Sequence, residues 1–509
     1  MEIVACQPEL CPALPVVIGN IDYTDYKKTL ERIDQLLPDS GIEDSFIRYY
    51  LVEAERLGRE QAMRDGVDYR PPAPGSIARL ERRALVALRC NIVRYLENIS
   101  CRKLSRRLAD SPLLQWFCGL TRLDVVRVPS KSALDRYAKI VPEWIVRNVI
   151  DELTRAAGGI SAEGEHPLDL ETPISLDTLF LDTTCVKANI HFPVDWVLLR
   201  DASRTLLKAV QLIRRRGLKN RMADPFEFIS DVNRLCIQMT HSRRRKEGRK
   251  YRKQILRLLK KLLKRIDKHA QRHRDLLADN WQQTDLSEGQ VRQILARIDR
   301  IRGQLPAAIE QAHERIIGGR QVANKDKILS LYEPDIHVLV RGKEGAEVEF
   351  GNTLLLGEQE DGVIMDWELI KDRAPSDTKL VQGSLQRYAR LTDGQLPGAI
   401  ATDRGFDSPS NRRLCVQHPE IFNAICPKSP ALLSERIQEA RFVDLQRRRS
   451  QTEGRIGIFK NAFLGRPMRS KGFDYREQNI TWAVLAHNLW VIARLPQYED
   501  NQNHLKRAA

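Results

Sequence analysis

Apolar positions along the chain change period several times, and each change marks an element or a boundary. Residues 1–70 read as mostly helical and polar after an irregular start. Arg70-Pro71-Pro72-Ala73-Pro74-Gly75 interrupts them, because proline cannot continue a helix and biases its predecessor to extended forms. Leu80, Ala84, Leu88 and Ile92 then recur every four residues, the spacing of one helix face. A second helix is expected over 101–109, and a third starts with Ser111 as N-cap and Pro112 at the first helical position. Ser130 or Ser132 can cap a fourth running through Tyr137, and Gly158-Gly159 closes the block.

From 174 the pattern shortens. Ile174–Asp182 has the apolar density and length of a buried strand, with Asp182 at its end. Residues from 203 to about 323 return to helical spacing. Ile255, Leu259, Leu262 and Ile266 are spaced 4, 3, 4, and Val291, Ile294, Ile298, Ile301 and Leu305 are spaced 3, 4, 3, 4. Two such stripes joined by the polar stretch Ala278–Glu288 predict an antiparallel hairpin with a coiled-coil seam. Beyond 326 the pattern predicts strands at Ile336–Val340, Val348–Leu356 and Gly362–Leu369, then a helix at 378–391. A strand Gly398–Thr402 ending at Asp403, a helix at 409–417, a strand Phe422–Cys426 and helices over 444–463 and Asn479–Ala493 complete it. Alternating strands and helices predict an α/β layer fold.

The division expected is a helical region 1–70, a compact helical domain 76–158, an α/β domain split over 172–202 and 326–495, a basic helical insertion 203–325 and a tail 496–509. Composition sharpens it. The formal charge is +16, and residues 201–330 alone carry +18, leaving −2 for the rest. Arg243-Arg244-Arg245-Lys246 is one of the peaks. Such density exceeds what solubility requires and points to sequence-independent binding of a phosphate backbone. No stretch approaches the about 18 uncharged apolar residues of a membrane span, and Met1–Ile21 lacks the pattern of a secretory signal. Nine cysteines without C-x2-C spacing fit free thiols in a reducing cytoplasm.

Three acids stand out. Asp182 and Asp403 are placed at the ends of strands, where they can converge on one sheet edge, and Glu453 lies on a long helix that can pack beside them. Oxygen ligands suit Mg²⁺, and two ions about 3.5–4 Å apart can activate a nucleophile and stabilise a leaving oxygen in phosphoryl displacement. Taken singly, each acid also fits a turn cap or a surface ion pair. Arg449 and Lys460 share the helical face of Glu453 and can hold a phosphate.

These segments together resemble the DDE transposases of bacterial insertion sequences. The matching stretches are Leu181-Asp-Thr-Thr-Cys-Val-Lys-Ala-Asn-Ile-His-Phe-Pro-Val-Asp195, Val348-Glu-Phe-Gly-Asn352, Ala401-Thr-Asp-Arg-Gly-Phe-Asp-Ser408 and Arg449–Lys460, which fits R-x3-E-x6-K. Trp482–Trp490 is also similar, and residues 82–140 resemble the helical domain that often precedes such a catalytic domain. Where the family often has Tyr, three residues before the Arg, this chain has Gln446. The resemblance implies an RNase H-like mixed sheet flanked by helices, with catalytic and metal-holding Asp182, Asp403 and Glu453, and two Mg²⁺ (or Mn²⁺). It implies DNA contacts by Arg449, Arg455 and Lys460, beside those expected of Arg243, Arg244, Arg245 and Lys246. The partners implied are double-stranded DNA, as element ends and target, and further copies of the chain in a dimer or larger assembly. The place implied is the nucleoid of a bacterial cytoplasm. The rival readings are a transposase-derived DNA-binding protein without nuclease activity and an RNase H-like resolvase.

Overall fold

The computed structural model describes residues 14, 16–122, 125–160, 166–242, 247–343 and 346–498. The chain runs α1 (Ile21–Asp39), α2 (Ile42–Asp65), α3 (Pro74–Leu96), α4 (Cys101–Asp110), α5 (Pro112–Phe117), α6 (Lys131–Tyr137), α7 (Glu143–Ala157) and β1 (Thr178–Lys187). Helices α8 (Asp195–Arg215), α9 (Pro225–His241), α10 (Gly248–Asn280) and α11 (Glu288–His313) follow. Then come β2 (His337–Lys343), β3 (Ala346–Glu358), β4 (Ile364–Leu369), α12 (Val381–Leu391), β5 (Ala399–Thr402), α13 (Pro409–Gln417), β6 (Phe422–Ile425), α14 (Pro430–Arg436), α15 (Ala440–Ile458) and α16 (Phe473–Ile492).

The fold is mixed α/β. Six strands form one mixed sheet, ordered β2-β3-β1-β5-β6 with β4 also pairing β3. β1, β5 and β6 are parallel, while β3 is antiparallel to β2 and β4. Contacts divide the chain into two units, one of Met1–Val186, Thr353–Ile370 and Ala374–Ala509, the other of Lys187–Asn352 and Lys371–Arg373.

In the first unit local chemistry sets the helix ends. The Asn20 side chain caps α1, Ser111 caps α5 with Pro112 behind it, and Ser130 rather than Ser132 caps α6. Each oxygen accepts an N–H that the first turn leaves without a helical partner. Every residue of α16 from Gln478 to Leu489 is buried, because α3, α7 and the sheet pack around it. Its Asn488 side chain completes β4's edge, accepting from Ile364 N at 2.9 Å and donating to Ile364 O at 2.8 Å. Helices α1–α7 therefore share one core with α16 and with Leu354, Leu356 and Trp367 of the sheet.

The first strand departs from expectation. β1 begins at Thr178, not Ile174, and continues past Asp182 to Lys187. Its parallel neighbour β5 stops at the pair Leu181↔Thr402, but its other neighbour, β3, is 13 residues long. Asp182 thus lies mid-strand, at the point where one neighbour ends. Asp177 precedes the strand, and its carbonyl accepts from Ala399 N at 3.2 Å.

In the second unit α10 and α11 are antiparallel. Arg274 pairs with Asp299, Arg302 with Asp267, and Lys260 Nζ meets His313 Nδ1 at 3.1 Å, a register that runs in opposite directions along the two helices. Every residue of the two apolar stripes is buried. The expected hairpin is not alone, however. Leu206, Leu207, Val210 and Ile213 of α8 and Val232, Leu235 and Met239 of α9 complete the same core. On α10, Arg257, Lys261, Lys264, Arg265 and Lys268 are exposed.

Candidate metal centre

Side-chain alternation along β1 decides what Asp182 faces. Leu179 and Leu181 enter a cluster with Val381, Leu385 and Tyr388 of α12. Phe180 points the opposite way, into Phe442 and Leu445 of α15. Asp182 and Thr184 share that second face. The β1–β5 register ends one residue before Asp182 and Asp403, so the two acids continue adjacent strands. Gly357 of β3 lies against β1 on the other face. A Cβ there would sit 2.9 Å from Leu181 Cδ2 and 3.0 Å from Leu179 Cδ1, so the close approach requires glycine.

The Asp182 side chain is 14% exposed. Its Oδ1 accepts the Thr183 N–H at 2.7 Å, and Arg449 Nη2 stands 3.9 Å from Oδ2. Burial pushes its carboxyl up to about 6, while the Thr183 N–H pulls it down; the fields of Asp403 and Glu453 raise it and that of Arg449 lowers it. The three expected acids are therefore close enough to feel one another. They do not yet meet: among the described residues no three His, Cys, Asp or Glu side chains are spaced to share one ion. Electrostatic reach is longer than a metal–oxygen bond, so the two observations are compatible.

Asp403 also has the bland role that its position allows. It caps the turn Arg404–Phe406, Oδ1 accepting from Gly405 N at 2.8 Å. A Cβ on Gly405 would lie 2.9 Å from that oxygen and 3.0 Å from Asp377 Oδ2. Asp377 is a fourth carboxylate that sequence reasoning missed. It accepts from Thr183 Oγ1 at 3.2 Å, beside Asp182. In sequence Ser376-Asp377-Thr378 reads only as a polar helix start.

Helix α15 brings Arg449 inward and leaves Glu453 exposed. Two residues expected to contact DNA are turned away from solvent. Lys460 is 7% exposed and donates to Thr184 Oγ1 at 2.8 Å. A π-helical turn, Phe459–Leu464, follows α15, and it carries the lysine under the sheet face rather than onto a free helix surface. The Arg455 guanidinium packs over Gly362, where any Cβ would collide with it. Burial and the neighbouring Arg448 hold its pKa below the usual value, and its Nη1 is buried with no hydrogen-bond partner. Arg243, Arg244, Arg245 and Lys246 lie outside the described residues.

As a donor set, Asp182, Asp403 and Glu453 suit a hard dication. All are carboxylates, and the Asp182 carboxyl is raised first by burial and then by the fields of Asp403 and Glu453, like charges that a bound cation would offset. A side-chain shift is required to close the set.

Residues 81–140 match the family model described as Transposase domain (DUF772). The match covers most of α3 and all of α4–α6, and it supports a transposase role in general. No curated protein and no solved structure matches the chain. Among the described residues no helix is long and apolar enough to cross a membrane.

Proposed function

We propose that the chain is a DNA transposase of the DDE type, cleaving DNA at element ends and joining them to target DNA on an RNase H-like sheet. The observation that supports the reading is that Asp182 and Asp403 continue the adjacent strands β1 and β5, with Glu453 on α15 near enough for its field, like that of Asp403, to act on the buried Asp182 carboxyl. The transposase-domain match in the preceding helices supports it independently.

Asp182, Asp403 and Glu453 would hold two Mg²⁺ (or Mn²⁺). When bound, such ions lower the pKa of an attacking water or 3′-hydroxyl and neutralise charge on the phosphate and the leaving oxygen. The protein does the rest by placement. Asp182 must lose its proton to become a ligand. The Thr183 N–H and Arg449 both stabilise its charged form. In the first displacement water attacks the phosphorus at the element end, so that a new P–O bond leaves a 5′-phosphate while the old one breaks and its oxygen departs with a proton as a 3′-hydroxyl. In the second, that oxygen attacks a target phosphodiester, whose own 3′-oxygen departs with a proton. Bond number is conserved, so joining needs no external energy source.

Exposed cations of α10 would hold DNA backbone without reading sequence. The helices of 76–158 would read the terminal repeats. Joining two ends requires more than one copy of the chain on DNA. The test is a strand-transfer assay with the element's own ends, Mg²⁺ and a target plasmid. Joined product is expected. Hydrolysis without joining would favour a resolvase, and binding without cleavage would favour a DNA-binding derivative.

A further inference from the structure

Helix α15 presents Glu453, and apolar packing grips it near its start, through Phe442 and Leu445, and again near its end, through Ile456. Between these two grips it is fastened by polar anchors. On one side Thr452 Oγ1 donates to Glu358 Oε1 at 2.8 Å. Arg448 donates to the same oxygen at 3.1 and 3.2 Å and to the Gln359 and Glu360 carbonyls at 2.8 Å each. The Arg448 guanidinium also lies 4.7 Å from the Phe180 ring centre. These contacts fix the helix to the ends of β3 and β1.

The other anchor is Gln446. Its Nε2 donates to Thr402 O at 3.1 Å and to Ala424 O at 2.6 Å. Both acceptors are carbonyls, so the amide nitrogen, not its oxygen, must face them. Thr402 is the last residue of β5, directly before Asp403. Gln446 is three residues before Arg449 and seven before Glu453, on one helical face with both. One side chain therefore spans from the helix that carries the third acid to the strand end that carries the second.

We infer that Gln446 is a positioning residue that sets the separation of Asp403 and Glu453, and through it the affinity of the site for divalent metal. The inference rests on the metal-site reading above. It assigns a role to a residue that stands out in the sequence only as Gln where the resembled family often has Tyr. Arg448 and Thr452 hold the helix but touch neither strand end that leads to Asp403, so they do not duplicate it.

The test uses the full chain. Gln446→Met keeps length and volume and removes the donor. Gln446→Glu keeps shape and turns two acceptors toward the carbonyls. Leu445→Ala loosens the same helix without touching the amide. Mn²⁺ binding is followed without DNA, by the loss of the free-ion electron paramagnetic resonance signal, and cleavage kinetics are measured separately. Removing a residue that orients metal ligands typically costs about 10–100-fold in metal affinity. That loss is expected for Gln446→Met and a larger one for Gln446→Glu, with kcat reduced and the KM for DNA unchanged. Leu445→Ala is expected to bind Mn²⁺ nearly as the wild type does. Wild-type Mn²⁺ affinity in Gln446→Met, or an equal loss in Leu445→Ala, overturns this inference alone. A wild-type protein that neither binds Mn²⁺ nor cleaves DNA overturns the metal-site reading and this inference with it.

Discussion

Replacing Asp182 by Asn should stabilise the metal-free protein, and the gain should grow with pH. The carboxyl sits at about 6 in the fold against an ordinary 3.8, chiefly through burial. Because the folded state holds its proton more tightly, the native protein binds more protons than the unfolded chain between those values. The stabilising contribution is complete below pH 3.8 and is lost as pH rises through about 6. The gap of about 2 units, at 1.36 kcal/mol each, makes the ionised carboxylate cost about 3 kcal/mol near neutrality. Asn cannot ionise and is nearly isosteric, so it removes that cost. It forfeits the charged contact with Arg449, which at 3.9 Å is long for a hydrogen bond. A net gain of about 1–3 kcal/mol at pH 7.5 is expected, shrinking toward zero at pH 4. Urea unfolding of wild type and variant across this range, with chelator present, measures it. Adding Mg²⁺ at pH 7.5 should then stabilise the wild type and not the variant. A stability difference that does not change with pH, or a variant less stable than wild type at pH 7.5, would refute the reasoning.

Gly405→Ala pushes a methyl between the Asp403 and Asp377 carboxylates, and overpacking of this kind costs about 1–3 kcal/mol; thermal unfolding should show the loss, with cleavage reduced further than stability alone explains. Neutralising Arg257, Lys261 and Lys264 together should weaken binding to all DNA sequences alike, and the salt dependence should flatten by about 0.9 per lost phosphate contact; an unchanged slope would make that helix face a protein contact. The same experiment on Arg243, Arg244 and Arg245 tests the densest basic run separately. Lys460→Met should strand the buried Thr184 hydroxyl and lower stability by about 1–3 kcal/mol, whereas a purely DNA-facing lysine would leave unfolding unchanged.

What the sequence revealed and what it concealed follow the range of the interactions. The stripes of α10 and α11 and the caps of α5 and α6 are local, and spacing alone shows them. Asp403 is equally legible, because Ala399–Thr402 is an apolar run ended by Asp-Arg-Gly. Ile174-Ser-Leu176 is as apolar as the strand itself, so the pattern places the start of β1 four residues before Thr178, where it begins. Ladder partners, not composition, decide where pairing begins, and the first pair with β5 is Thr178↔Ala399. Helices α8 and α9 are amphipathic, but nothing local indicates that they close the α10–α11 seam. Gln446, Asp377 and the inward turn of Arg455 and Lys460 depend on partners 22 to 276 residues away. Their side-chain types are ordinary for a surface, and only the fold gives them neighbours.

The central claim is that Asp182, Asp403 and Glu453 act together on DNA through divalent metal. Its most direct measurement is cleavage of the element's own end by wild type and by Asp182→Ala, Asp403→Ala and Glu453→Ala, each folded and each bound to DNA. Metal-dependent cleavage by the wild type, abolished in all three variants with DNA binding retained, is the predicted result. Cleavage by any of the three at the wild-type rate would contradict it.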